Sequence, residues 1–189
     1  MIHEFATNGV LNLNRSTLCG HSFGAIIAGH IGSLLNGRAG QAIGLDPTSK
    51  LISFQITFKG MTKSSAQYVQ IIHTDFIMGD IRELGTADFY VNGGIRQPKC
   101  GLDFGEHCSH LSAIDYYVES ILMNDFIAKK CSNYLMYIWG LCESNTISCM
   151  GGYHLDTKAR GKYYVETNLK PPYGKGECSV EETVTKMSL

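Results

Sequence analysis

Residues 16–25 read Ser-Thr-Leu-Cys-Gly-His-Ser-Phe-Gly-Ala: a short apolar, β-branched run enters a glycine turn. Residues 23–36 follow with helical length and small residues on one side. A strand, a sharp turn and a helix are therefore expected, with Ser22 in the turn. Gly20-His21-Ser22-Phe23-Gly24 fits G-x-S-x-G, a pattern that carries chemistry when it lies between a strand and a helix. A serine in such a strained turn can aim its hydroxyl out of the sheet only where its flanking positions have no side chain to clash. The helix N-terminus behind it and the backbone N–H of Phe23 then face a developing oxyanion. The alternative is an ordinary βα turn in which Ser22 caps the helix.

Downstream, residues 41–45 read as a second buried strand closed by Asp46-Pro47, because proline forbids further helix and forces a turn. Two strands flanking a helix make a βαβ unit. Residues 67–73 give a third strand, and Asp88-Phe89-Tyr90-Val91, ended by Asn92-Gly93-Gly94, a fourth. Residues 110–129 carry Leu111, Ile114, Tyr117, Val118, Ile121 and Leu122 at spacings of three and four, which predicts a helix burying that face, with Lys129 and Lys130 at its C-terminal end. Residues 162–167 predict a last strand and residues 171–176 a loop-like tail. The expected class is α/β.

Asp46 ends the strand after the Ser22 turn, so both side chains are expected at the carboxyl edge of neighbouring parallel strands, where α/β sheets place their sites. His110 supplies a third member, in the chain order Ser, Asp, His. A neutral serine hydroxyl is a poor nucleophile. His110 would take its proton while Asp46 holds the imidazole tautomer and stabilises the imidazolium, giving an acyl-Ser22 that water hydrolyses. His21, His30 and His73 are expected to be structural. For Asp46 the alternative is a turn cap before Pro47, and for His110 a histidine with no task at a helix start.

Composition narrows the field. The chain has 189 residues, 44% of them hydrophobic, enough for one globular domain or slightly more. Lys+Arg 16 against Asp+Glu 17 leaves no basic excess to track a phosphate backbone, so nucleic acid is not an expected partner. No apolar run reaches the about 18 residues that span a bilayer, and the N-terminus lacks the basic and long apolar regions of a secretory signal. Yet Cys100, Cys108, Cys131, Cys142, Cys149 and Cys178 crowd the second half, as disulfides of an oxidising compartment do. Zinc is the rival, but there is no C-x-x-C, and Cys108-Ser109-His110 cannot set two ligands comfortably on one ion. No metal and no cofactor are expected.

Gly20-His21-Ser22-Phe23-Gly24-Ala25, Gly44-Leu45-Asp46-Pro47, Val69-Gln70-Ile71-Ile72-His73-Thr74, Asp88-Phe89-Tyr90-Val91-Asn92-Gly93-Gly94, Gln97-Pro98, Cys108-Ser109-His110 and Gly161-Lys162-Tyr163-Tyr164 together resemble the animal pancreatic-lipase-like family. The resemblance is closest to its insect branch, which includes the phospholipases A1 of venoms, and it covers nearly the whole chain in order. It implies an α/β-hydrolase fold with Ser22 as nucleophile, Asp46 as acid, His110 as base and Phe23 as an oxyanion N–H. It further implies a lid closed by Cys100 and Cys108 around Gly101, Leu102, Asp103, Phe104, Gly105, Glu106 and His107, and a second disulfide between Cys131 and Cys142. In the family so short a lid goes with phospholipase A1 activity, because it leaves an open entrance that admits a polar head group.

The implied function is sn-1 ester hydrolysis of glycerophospholipids at a lipid–water interface by a secreted enzyme. Triacylglycerol or galactolipid hydrolysis, and a noncatalytic yolk-protein-like lipid binder, are the alternatives. Cys149 and Cys178 are left to pair with each other, and Cys19 is expected as a buried free thiol. The sequence departs from the family at Phe23, where leucine is usual, at Thr48, where alanine is common, at Ser65 and at Ser112. Residues 1–189 are expected to be the C-terminal portion of the lipase domain, with the N-terminal strands, the second oxyanion donor and the signal peptide missing and no C-terminal β-sandwich. Such a chain is expected to be weakly active or inactive by itself.

Overall fold

Strands buried on both faces need a layer on each side, and that requirement organises the chain. The computed structural model describes residues 4, 8–49, 59–101 and 107–178. Strands β1 (Thr17–His21), β2 (Gln41–Leu45), β3 (Tyr68–His73), β4 (Ala87–Val91), β5 (Ile127–Lys130), β6 (Ile147–Cys149) and β7 (Gly161–Val165) form one sheet, ordered β1-β2-β3-β4-β7-β5-β6. The first four strands and β7 run parallel, whereas β5 pairs antiparallel with both β7 and β6. Helices α1 (Phe23–Leu34), α2 (His107–Met123) and the short α3 (Tyr134–Ile138) complete the described framework.

Alternation along the central strands sends side chains to two cores. Val69 and Ile71 of β3 join Ala25 and Ala28 of α1 on one face; Tyr68 and Ile72 join Ala113 and Tyr116 of α2 on the other. The layers are helix, sheet, helix, the α/β architecture expected. α1 buries Ala25, Ala28, Gly29 and Gly32, spaced three and four apart. Any Cβ at Gly29 or Gly32 would run into the backbone of Met61 or Ser65, so these glycines set the close approach of that segment.

The structure corrects three expectations. α2 is helical as expected, but its buried face is centred elsewhere: it buries Ser109, His110, Ser112, Ala113, Tyr116 and Ser120, Ile114 and Tyr117 of the expected face pack against the core, and Leu111, Val118, Ile121 and Leu122 are exposed. It also ends at Met123, followed by Asn124 in a left-handed conformation, so Lys129 and Lys130 lie in β5 rather than at a helix end. Cys19 is free and exposed, in β1, which among the described residues pairs with β2 alone.

Three disulfides, Cys100–Cys108, Cys131–Cys142 and Cys149–Cys178, tie the second half together. The last closes 29 residues and fastens residue 178 beside β6. Serine at both Cys149 and Cys178 is expected to lower the unfolding free energy by about 3 kcal/mol, chiefly by freeing the unfolded chain. Denaturant midpoints under non-reducing conditions measure this.

Candidate active site

The registers His21 to Leu45 and Leu45 to Ile72 bring the ends of β1, β2 and β3 level. Each ladder continues one residue past the strands, with Ser22 N–H donating to Leu45 O at 2.9 Å and Asp46 N–H to Ile72 O at 2.8 Å. Both chains then turn out of the sheet at its carboxyl edge. Ser22 does so at φ 55°, ψ −122°, and Asp46 at φ 42°. The other described non-glycine residues with positive φ, Asp46 included, are aspartate or asparagines, which tolerate that region, so backbone strain is concentrated at Ser22.

The Ser22 side chain makes no cap hydrogen bond to α1. Its Oγ instead lies 2.7 Å from His110 Nε2 and 2.8 Å from Thr48 Oγ1. His110, buried in α2, has its Nδ1 2.6 Å from Asp46 Oδ2. The other carboxylate oxygen of Asp46 accepts the backbone N–H groups of Thr74 at 2.8 Å and Asp75 at 3.1 Å. Asp46 is fully buried, and burial pushes its carboxyl above the ordinary value against the pull of His110 and the Thr74 N–H. An ionised Asp46 can only accept, which puts the His110 proton on Nδ1 and leaves Nε2 as an acceptor for the Ser22 hydroxyl.

The surrounding shell holds these groups in place. His21 Nε2–H donates to the His110 carbonyl at 2.9 Å, with the two rings 4.5 Å apart, and burial lowers the His21 pKa. Buried Gln97 donates from Nε2 to the carbonyls of Thr74 at 2.7 Å and Val91 at 2.9 Å, while its backbone N–H reaches Ser109 Oγ at 3.0 Å. It thereby joins the loop that serves Asp46 to the helix that carries His110. His73 is taken up beneath, between the Asp80 carbonyl at 2.7 Å and Asp88 Oδ1 at 3.0 Å, and stacks on Tyr90.

Phe23 opens α1, where the first N–H groups of a helix have no acceptor within it. Only one of the motif's glycines is pressed by its neighbours, contrary to the sequence argument for both flanks. A Cβ at Gly20 would sit 2.7 Å from Ala25 N and nearer still to the Gly24 carbonyl, whereas one at Gly24 would meet nothing within 4 Å.

A family model described as Lipase matches residues 10–173. The chain belongs to the lipase family. It is 35% identical over 161 residues to a phospholipase A1 of Vespa crabro, covering 82% of this chain and 54% of that protein. It is also 32% identical over 170 residues to a phospholipase A1 of Polybia paulista, covering 86% and 53%. A probable phospholipase A1, magnifin, of Vespa magnifica is 44% identical over 116 residues, 59% of this chain and 34% of that one. The chain thus spans about half the length of the curated relatives it matches.

In this lipase-family chain, Cys100–Cys108 brackets the segment read as a lid. Gly101, at φ 55°, and His107, which opens α2, are its described ends; Leu102, Asp103, Phe104, Gly105 and Glu106 lie outside the described residues. Among the described residues, no helix is long and apolar enough to cross a membrane.

Sequence reasoning missed Thr48 as a neighbour of Ser22, the Thr74 and Asp75 N–H groups, and Gln97. The Thr48 departure from alanine was the one available signal. Backbone donors leave none.

Proposed function

We propose that the protein is a carboxylic ester hydrolase of lipids, acting as a phospholipase A1 on the sn-1 acyl ester of glycerophospholipids at a lipid–water interface. The observation that carries this reading is the continuous relay from Asp46 through His110 to Ser22, at 2.6 and 2.7 Å. Those lengths are charge-assisted or strong hydrogen bonds of the kind that activates a serine. The names of the relatives support the choice of phospholipid. The three disulfides support a secreted, extracellular protein.

In this mechanism Ser22 Oγ attacks the acyl carbon as its proton passes to His110 Nε2. Asp46 keeps Nδ1 protonated and stabilises the imidazolium. The Phe23 N–H faces the oxyanion of the tetrahedral intermediate. Collapse returns the proton from Nε2 to the departing glycerol oxygen, and water, deprotonated by His110 in turn, releases the fatty acid from Ser22. Burial of the Asp46 carboxylate strengthens its interaction with the imidazolium by excluding water.

The test is fatty-acid release by the full-length protein from phosphatidylcholine vesicles and from a triacylglycerol emulsion, each with Ser22→Ala as control. Release from phosphatidylcholine that the substitution abolishes is the expected result. Release from triacylglycerol alone would overturn the phospholipid assignment. Release of neither by folded protein would overturn hydrolysis itself.

A further inference from the structure

The Ser22 hydroxyl has a second partner that the relay does not require. Thr48 Oγ1 lies 2.8 Å from Ser22 Oγ, on a residue pinned by its neighbours: Thr48 forms a β-bridge with Gly79, the Pro47 carbonyl accepts Asp80 N–H at 2.8 Å, and Ser49 N–H reaches Met78 O at 2.9 Å. Hydrogen-bond inventory fixes the direction of the contact. With the Asp46 carboxylate as acceptor, His110 carries its proton on Nδ1, Ser22 must donate to Nε2, and the only role left to Oγ towards Thr48 is acceptance. Thr48 therefore donates to the reacting oxygen.

We infer that the Thr48 hydroxyl accelerates release of the acyl group from Ser22, an inference that rests on Ser22 being the nucleophile. The effect arises from the difference between two ground states. In the free enzyme Oγ is a hydroxyl oxygen and the Thr48 bond is already made, so the attack step gains little from it. In the acyl-enzyme Oγ is an ester oxygen, whose lone pair is delocalised into the acyl carbonyl and accepts poorly. When the second tetrahedral intermediate breaks down, the C–Oγ bond cleaves, its electron pair moves onto Oγ, and the His110 Nε2 proton follows. A donor fixed 2.8 Å away strengthens its bond as that charge collects, and no proton leaves Thr48. An interaction stronger in the transition state than in the preceding ground state raises the rate of that step. An alanine at this position has no hydroxyl to do this.

The experiment compares Thr48→Ala, Thr48→Ser and the parent sequence, each in the full-length protein. Ser22 phosphonylation by a p-nitrophenyl alkylphosphonate reads the attack step alone. Turnover of p-nitrophenyl butyrate, with quenched-flow mass spectrometry of acyl-Ser22, reads release. Thr48→Ala is expected to lower kcat about tenfold and raise the steady-state acyl-Ser22 fraction, while phosphonylation stays within about threefold of the parent. Thr48→Ser is expected to restore both. The inference is overturned if kcat and the acyl fraction in Thr48→Ala match the parent. It is equally overturned if phosphonylation falls in parallel with kcat, which would make Thr48 a prop for the elbow, or if serine fails to rescue. Failure of the parent protein to take phosphonate at Ser22 would instead overturn the hydrolase reading.

Discussion

In the full-length protein, Ser22→Ala is expected to lower kcat by about 10⁶-fold and Asp46→Asn by about 10⁴-fold, each in a protein that still folds. Serine loss removes the covalent route outright. The asparagine result follows from how the Asp46 carboxylate is held. Its Oδ1 accepts two backbone N–H groups, from Thr74 and Asp75, so an amide at this position must place its oxygen there and turn its NH2 towards His110. Facing a donor, His110 Nδ1 gives up its proton, the proton moves to Nε2, and the ring can no longer accept from Ser22. The loop stays anchored while the relay carries the wrong tautomer. Turnover of a soluble ester and thermal unfolding, measured on the same preparations, separate chemistry from folding. A loss of less than about tenfold in Asp46→Asn would mean that Asp46 has no part in orienting His110.

Local signals made the elbow and its neighbours legible in the sequence. The turn at Gly20 to Gly24 and the stop at Asp46-Pro47 depend on residues adjacent in the chain, and β2 has the bounds that residues 41–45 suggested. Long-range packing was harder to read. Apolar periodicity chose Leu111, Val118 and Ile121 as the inner face of α2, whereas the buried face carries Ser109, His110, Ser112, Ala113, Tyr116 and Ser120, with Ile114 and Tyr117 packed at its margin. β5 and β6, at four and three residues, are too short for alternation to register. Gln97 reads as a surface residue by type, but buried among two carbonyls and a serine hydroxyl it is a fully used set of donors. What the sequence displays is which side chains can do chemistry. Which backbone groups serve them depends on loops meeting across the sheet edge.

The two glycines of the elbow are expected to respond in opposite directions to the same substitution. Gly20 sits in β1, opposite Gly44 of β2, directly beneath the first turn of α1. A Cβ there would lie 2.7 Å from Ala25 N and closer to the Gly24 carbonyl, all backbone atoms that no rotamer change can move aside. Gly20→Ala must either push α1 off the sheet or swing Ser22 out of its strained turn, and a destabilisation of about 3 kcal/mol is expected. Gly24 lies inside α1 with open space where its Cβ would be, so Gly24→Ala meets no clash and exchanges a poor helix former for the best one, a gain of about 0.5 kcal/mol. Urea denaturation midpoints read both. Equal losses at the two positions would mean that the pattern is enforced by the turn as a whole. Opposite signs would show that the first glycine exists for the approach of helix to strand that holds Ser22 at φ 55°, and that the second answers to whatever occupies the open space in front of it.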